Sequence, residues 1–236
     1  ENCKGLNILP NRNSLKEIIN LQDSFPIGYG VDYDGVKSGY DHSLHYYLKK
    51  HGIRRELTPT KHSENIINRL TLGKKKIVTF TIRNSKFDKS RNTNLKDFIK
   101  FSKELEKEYE IVFIPDTDQP FDDEIENFEY SQLGTMASYN PAIRLALYQK
   151  SHLNILSDNG PLLLACYSKK IKYISFWNSE NSVIYSEENQ KDNYKHTFNE
   201  EHQFYWANNR QIIFPGIDNY ENLKKAYKRF LEVGIN

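Results

Sequence analysis

The chain has 236 residues, with 33 basic and 31 acidic side chains, a formal net charge of +2 and 38% hydrophobic residues. That apolar content supports a substantial core, and the balanced charge argues against a dedicated nucleic-acid binder, which gathers basic charge on one face. Two distant cysteines, Cys3 and Cys166, exclude a disulfide framework or a Cys-based metal site and fit a reducing, cytoplasmic compartment. No stretch reaches the ~20 apolar residues of a membrane span, so no transmembrane segment is expected.

The first seventy residues and the remainder have different patterns. Residues 1–39 are rich in Gly, Pro, Asn and Asp, with a helix predicted over Ser14–Leu21, where Ser14 and Glu17 make a capping box. A second helix is predicted over Ser38–Lys50, ended by Gly52, and a third over Ser63–Leu70. The basic runs Arg54-Arg55 and Lys74-Lys75-Lys76 are read as solvated surface. Residues 1–73 are expected to form an N-terminal helical and loop unit. Since the chain begins at Glu1, that unit is expected to be the remnant of an N-terminal domain.

From residue 74 onward strands and helices alternate. Ile77–Ile82 is a β-branched run suited to a strand buried on both faces. A helix is predicted over Asn94–Tyr109, with Leu95, Phe98, Ile99, Ser102 and Leu105 on one stripe. Ile111–Ile114 is the second strand, and Asn140–Lys150 a helix with Pro141 at its first position. Then follow a strand at His152–Leu156, a helix at Leu162–Lys169 and strands at Ile171–Trp177 and Gln211–Phe214. A last helix is predicted over Tyr220–Val233. Such alternation implies parallel pairing with right-handed crossovers, hence an α/β, Rossmann-like, mostly parallel sheet flanked by helices over residues 74–236. Ligands of these sheets bind beyond the carboxyl ends of the strands, which directs attention to the loops there.

The loop after the first strand holds Arg83 and Arg91 close to a helix start, and guanidinium groups suit phosphate. The alternative is an exposed polar loop with salt-bridged arginines. No GxGxxG is present, which disfavours a nicotinamide-dinucleotide fold. Ser157–Pro161 ends a strand and begins a helix, so Asp158, Asn159 and Gly160 either hold a pyrophosphate through backbone amides or merely cap the helix. Asp116 and Asp118 close the second strand and suit a ribose hydroxyl or a metal, or else belong to a solvated acidic loop with Asp122, Asp123, Glu124 and Glu126. The histidines, including His42 and His45, form no metal set, and HExxH, the Ser nucleophile elbow and Walker A are absent. The aromatic stretch His196–Asn209 is either a lid that stacks on a base or a loop packed on the sheet edge.

The segments Asn140–Tyr148 and Leu153–Pro161, followed by an apolar helix, resemble the C-terminal, donor-binding domain of GT-B glycosyltransferases of the heptosyltransferase type. Thr79–Arg83 with Arg91 and Asn92 is similar to loops of bacterial surface-polysaccharide proteins of that kind. The resemblance implies a nucleotide-sugar diphosphate lined by Asp158, Asn159 and Gly160, with Arg83 facing the same cleft. It departs at Leu162–Ala165, where the family's His-Leu-Ala is replaced. On this resemblance the chain is expected to move a sugar from a nucleoside-diphosphate donor to a glycan or lipid-linked acceptor in bacterial glycan synthesis, with no cofactor and no metal. No catalytic base is singled out among Asp32, Asp34 and His42. The alternatives are a non-catalytic nucleotide-sugar-binding or scaffold protein and, further off, a nucleotide-sugar epimerase or hydrolase.

Overall fold

The computed structural model describes residues 48–52, 56–86, 89–116, 132–177 and 203–233. The expected helix at Ser14–Leu21, the second aspartate of the acidic loop and the candidates Asp32, Asp34, His42 and His45 lie outside them. Five strands form one sheet: β1 (Lys76–Thr81), β2 (Tyr109–Ile114), β3 (Leu153–Ser157), β4 (Tyr173–Trp177) and β5 (Gln211–Pro215). Their order is β2-β1-β3-β4-β5, and every neighbouring pair is parallel. The fold is α/β and Rossmann-like.

Six described α-helices cover the sheet: α1 (Lys61–Leu70), α2 (Leu95–Leu105), α3 (Gln132–Tyr139), α4 (Pro141–Lys150), α5 (Gly160–Cys166) and α6 (Tyr220–Val233). The connection through α2 moves outward from β1, whereas those through α4 and α5 move the other way. Right-handed crossovers then require α2 and α4 to lie on opposite faces. The core divides accordingly. Phe98, Phe101 and Leu105 of α2 and Leu223, Ala226 and Phe230 of α6 meet Val78, Phe80 and Ile155 on one side. Ile67 of α1, Leu133 and Ala137 of α3, and Leu147 and Tyr148 of α4 meet Ile77, Val112 and Leu156 on the other.

Local chemistry fixes the helix starts. Thr60 accepts from Ser63 N at 3.2 Å ahead of α1, and Asn140 accepts from Ala142 N at 2.9 Å ahead of Pro141. The short helical stretch at 48–51 ends as expected at Gly52, whose φ of 67° suits glycine and whose N–H reaches Leu48 O at 2.7 Å.

Two helices end earlier than the sequence expectation, and one helix is new. The helix expected through Tyr109 stops at Leu105, because Glu106–Glu108 form a polar turn and Tyr109 already pairs with Lys76. The helix expected at Leu162–Lys169 begins at Gly160 and ends at Cys166. The helix α3 was not expected at all. It lies so close to β2 that a Cβ on Gly134 would stand 1.9 Å from Phe113 O.

Polar side chains between β1, β3 and α4 are fully paired. Thr79 Oγ1 donates to Asn154 Oδ1 at 2.7 Å, and Asn154 Nδ2 donates to the carbonyls of Tyr148 (3.0 Å) and Lys172 (2.9 Å). Thr81 and Tyr148 share a hydroxyl pair at 2.7 Å. Burial raises the Tyr148 phenol above its usual range, so it stays a neutral hydroxyl.

Candidate functional site

The strand order reverses direction between β1 and β3. In open parallel sheets the crevice at that point, outside the carboxyl ends of the strands, is the ligand position. Here it is walled by the loops after β1, β2 and β3. A cleft of ≈ 160 Å³ opens there, lined by Arg83, Asp116, Arg144, Asn159 and Gly160 over the apolar side chains of Ile82, Pro115 and Pro161.

The three loops are tied together by specific bonds. Thr93 Oγ1 accepts from Arg83 N at 2.9 Å and contacts Ser157 Oγ at 3.1 Å, joining the first and third loops. Asp116 Oδ2 accepts from Asn84 N at 2.8 Å, joining the first and second. Asn92 Oδ1 accepts from Ser85 N at 2.8 Å, and its Nδ2 donates to Ser85 O at 3.1 Å. Asn92 thus braces the first loop from within and does not line the cleft.

Arg91 and Asp158 also lie outside the cleft lining, and they pair with each other. Arg91 Nε stands 3.2 Å from both Asp158 carboxylate oxygens, and its Nη2 donates to the Asp158 carbonyl. This ion pair staples the short 3-10 turn Lys89–Arg91 to the end of β3. Burial is the dominant influence on Asp158 and pushes its carboxyl up to about 6, against the pull of Arg91 and, more weakly, Arg83.

Arg83 is different. It lines the cleft, and its Nε is buried with no hydrogen-bond partner among the described residues. Asn159 Oδ1, also of the lining, is likewise buried and without a donor among the described residues. An unsatisfied buried polar group costs roughly 1–3 kcal/mol, more when it is charged. One orphan is a cationic donor and the other an acceptor, so a group carrying both an anionic oxygen and a hydroxyl would satisfy the pair.

Arg144 completes the lining, and the sequence reading passed over it. It is 7% exposed and donates through Nε to Ala137 O (2.8 Å) and through Nη2 to Ser138 O (3.0 Å), holding the last carbonyls of α3. The signal was available: Arg144 stands in a run, Ile143 to Tyr148, whose other members are apolar and all buried. A charge in such a run must have partners or a task.

The backbone cradle expected at Gly160 is narrower than its sequence suggested. The amides of Asn159 and Leu162 bond to Ser157 O and Asn159 O at 2.9 Å, and Pro161 has no N–H. Side chains therefore dominate the polar lining. Of the aromatic stretch, Phe204 and Trp206 are buried and stacked on one another at 4.9 Å, and Trp206 Nε1 donates to Cys166 O at 3.1 Å. These two rings belong to the core beside α5. Among the described residues no group of three or more His, Cys, Asp or Glu side chains is placed to hold a metal ion, and no helix is long and apolar enough to cross a membrane.

No protein-family model matches the chain, and no curated protein matches it. Among solved structures, it is similar to the E. coli ADP-heptose LPS heptosyltransferase II, with 8% identity, a TM-score of 0.49, and 77% of this chain aligned to 54% of that one. It is also similar to the glycosyl transferase family 9 protein from Veillonella parvula DSM 2008, with 16% identity, a TM-score of 0.43, and 73% of this chain aligned to 45% of that one. The chain spans about half the length of these structures. The chemistry of the cleft rests on its own residues.

Proposed function

We propose that the switch-point cleft binds the diphosphate of a nucleotide sugar, and that residues 74–236 form the donor-binding unit of a glycosyltransferase. The observation that carries this reading is the buried, partnerless Arg83 Nε at the position where parallel sheets take their ligands. Arg144 adds a second guanidinium, and Asn159 Oδ1 offers an acceptor to a ribose or sugar hydroxyl. A volume of ≈ 160 Å³ is smaller than the ≈ 300–1,000 Å³ usual for a whole small-molecule ligand. It suits the phosphates alone, with base and sugar reaching outward.

In this reading the bond between the sugar's anomeric carbon and the diphosphate oxygen breaks, and a bond to an acceptor hydroxyl oxygen forms. The hydroxyl proton passes to a base, and the diphosphate leaves carrying the electron pair. Arg83 and Arg144 stabilise the charge that gathers on the leaving oxygens, and no metal is needed for that task. The sequence resemblance to heptosyltransferase-type donor domains supports the same ligand class, with a glycan or lipid-linked acceptor. Asp116 is the one carboxylate lining the cleft among the described residues, and its Oδ2 is committed to Asn84 N. That commitment favours a second reading, a nucleotide-sugar binder without transfer activity.

The test is thermal stabilisation by nucleoside diphosphates and their sugars. A ligand at 100 times its Kd adds about 2.7 kcal/mol to the folded state. Arg83→Met, which keeps the stem and removes the orphan donor, should leave the unliganded protein as stable as before while abolishing the ligand-induced rise. If no nucleotide raises the melting temperature, or if Arg83→Met responds like wild type, the donor site is wrong. Donor hydrolysis by a binding-competent protein then separates transferase from binder.

A further inference from the structure

At the opposite edge of the sheet, below the amino ends of β1, β3 and β4, lies a recess of ≈ 380 Å³. Its walls carry Lys76, Lys150, Lys170, Lys172 and His152, with Lys74 and Lys75 at the rim. The run Lys74–Lys76, read from sequence as solvated surface, thus meets Lys150, Lys170 and Lys172 from far along the chain. The whole chain carries only +2, so this gathering is segregation of charge and not general excess.

Two of the rim cations are already occupied. Lys74 Nζ pairs with Glu110 at 3.0 Å, and Lys75 Nζ donates to the carbonyls of Glu106 (3.1 Å) and Lys107 (3.0 Å). Lys76, Lys150, Lys170 and Lys172 have no acidic partner among the described residues. The crowding is strong enough to act on their neighbours. Burial first, then Arg210 and Lys76, lower the pKa of Lys172, while burial and then Lys172, Lys76 and Arg210 lower that of His152. Folding has therefore assembled mutually repelling cations around a half-buried imidazole, held between Tyr109 at 5.2 Å and Phe230 at 5.9 Å. Such an arrangement gains most from an anion of several charges placed among them.

We propose that this recess is a second binding site, distinct from the switch-point cleft, for clustered phosphate groups. Its volume falls within the range of ligand pockets, and four ammonium groups with no acidic partner among the described residues can contact several phosphate oxygens at once. Two sources share that chemistry: a soluble polyphosphate-type anion and the headgroups of an anionic phospholipid surface. Lysines are point charges on flexible stems, which tolerates either.

His152 is a local reporter, because an anion beside it favours the imidazolium and raises its pKa. The full chain is titrated by NMR with and without tripolyphosphate, with sodium chloride at matched ionic strength as control and His152→Gln to assign the signal. The expected result is an upward shift of the His152 pKa by tripolyphosphate beyond that of the salt control. Lys76→Gln combined with Lys172→Gln should weaken tripolyphosphate binding about tenfold, corresponding to ~1.4 kcal/mol. Arg83→Met should retain it, which separates this site from the cleft. Sedimentation with phosphatidylglycerol vesicles against phosphatidylcholine vesicles then names the source: pelleting lost in the double variant assigns headgroups, and tripolyphosphate binding without pelleting assigns a soluble anion. A response no larger than that of the salt, or one unchanged in the double variant, overturns the proposal.

Discussion

Replacing Asp158 by asparagine should stabilise the protein near neutral pH, although it breaks an ion pair. Burial holds the carboxyl at about 6, up from 3.8, even with Arg91 Nε at 3.2 Å. The folded protein therefore keeps a proton that the unfolded chain releases above ~pH 4. Stability from this group is fully present below the unfolded pKa and is lost as pH rises to the folded one. At 1.36 kcal/mol per pH unit the loss sums to about 3 kcal/mol by pH 6, and the curve is flat above that. Asparagine preserves the shape and an acceptor for Arg91 without carrying the buried charge. Asp158→Asn should match wild type near pH 4 and exceed it by about 1–3 kcal/mol at pH 7, because desolvation of the carboxylate outweighs its attraction to Arg91. Asp218, half-buried and also pushed up to about 6 by desolvation while accepting from Asn94 N at 3.2 Å, supplies a second slope of the same sign that survives in the variant. Urea unfolding from pH 4 to pH 8 measures both. An Asp158→Asn protein less stable than wild type at pH 7, or one with the full wild-type pH slope, would refute the reasoning.

Two further substitutions probe the fold around the cleft. Gly134→Ala places a methyl 1.9 Å from the Phe113 carbonyl oxygen, which is backbone and cannot swing aside, so a loss of about 3 kcal/mol is expected in urea unfolding. A change below 1 kcal/mol would mean α3 is not seated on β2 as described. Asn154→Leu strands the Thr79 hydroxyl and removes the donor to the Tyr148 and Lys172 carbonyls, with an expected cost of about 3 kcal/mol. Thr79→Val in the same background should recover part of it, since one stranded group disappears.

The strands were legible because most are short runs of β-branched and aromatic residues bounded by polar turns, as in Ile77–Thr81. Helix α4 announced itself through Asn140 and Pro141, and α6 through its apolar stripe. Helix α3 gave no such signal. Three of its four buried residues are Gly134, Ala137 and Ser138, and close approach to β2 demands small residues there, which hydropathy cannot distinguish from a loop. The aromatic stretch near residue 204 was ambiguous for a related reason: rings alternating with polar residues suit a lid and an edge-packed segment equally. Only burial separates them, and it places Phe204 and Trp206 in the core. At the cleft, the strand-end rule pointed to the loops that wall it, but sequence could not say which cation each carboxylate would neutralise. Arg91 was drawn to Asp158, and Arg83 was left without a partner for Nε.

That difference between the arginines bears on how the two edges of the sheet would recognise phosphate. At the carboxyl edge the guanidiniums of Arg83 and Arg144 are planar, with Arg144 buried and the Arg83 Nε buried, in a cleft too small for more than the phosphates. Geometry there should discriminate between ligands, and Arg83→Lys should not restore binding, because a flexible ammonium cannot reproduce the fork. At the amino edge four lysines on mobile stems surround a wider recess, and charge rather than shape decides what enters. Binding at the recess should therefore fall steeply with added salt while binding at the buried cleft falls less, since screening acts most on exposed charges. An equal salt dependence at the two sites would show that the fixed guanidiniums of the cleft confer no selectivity.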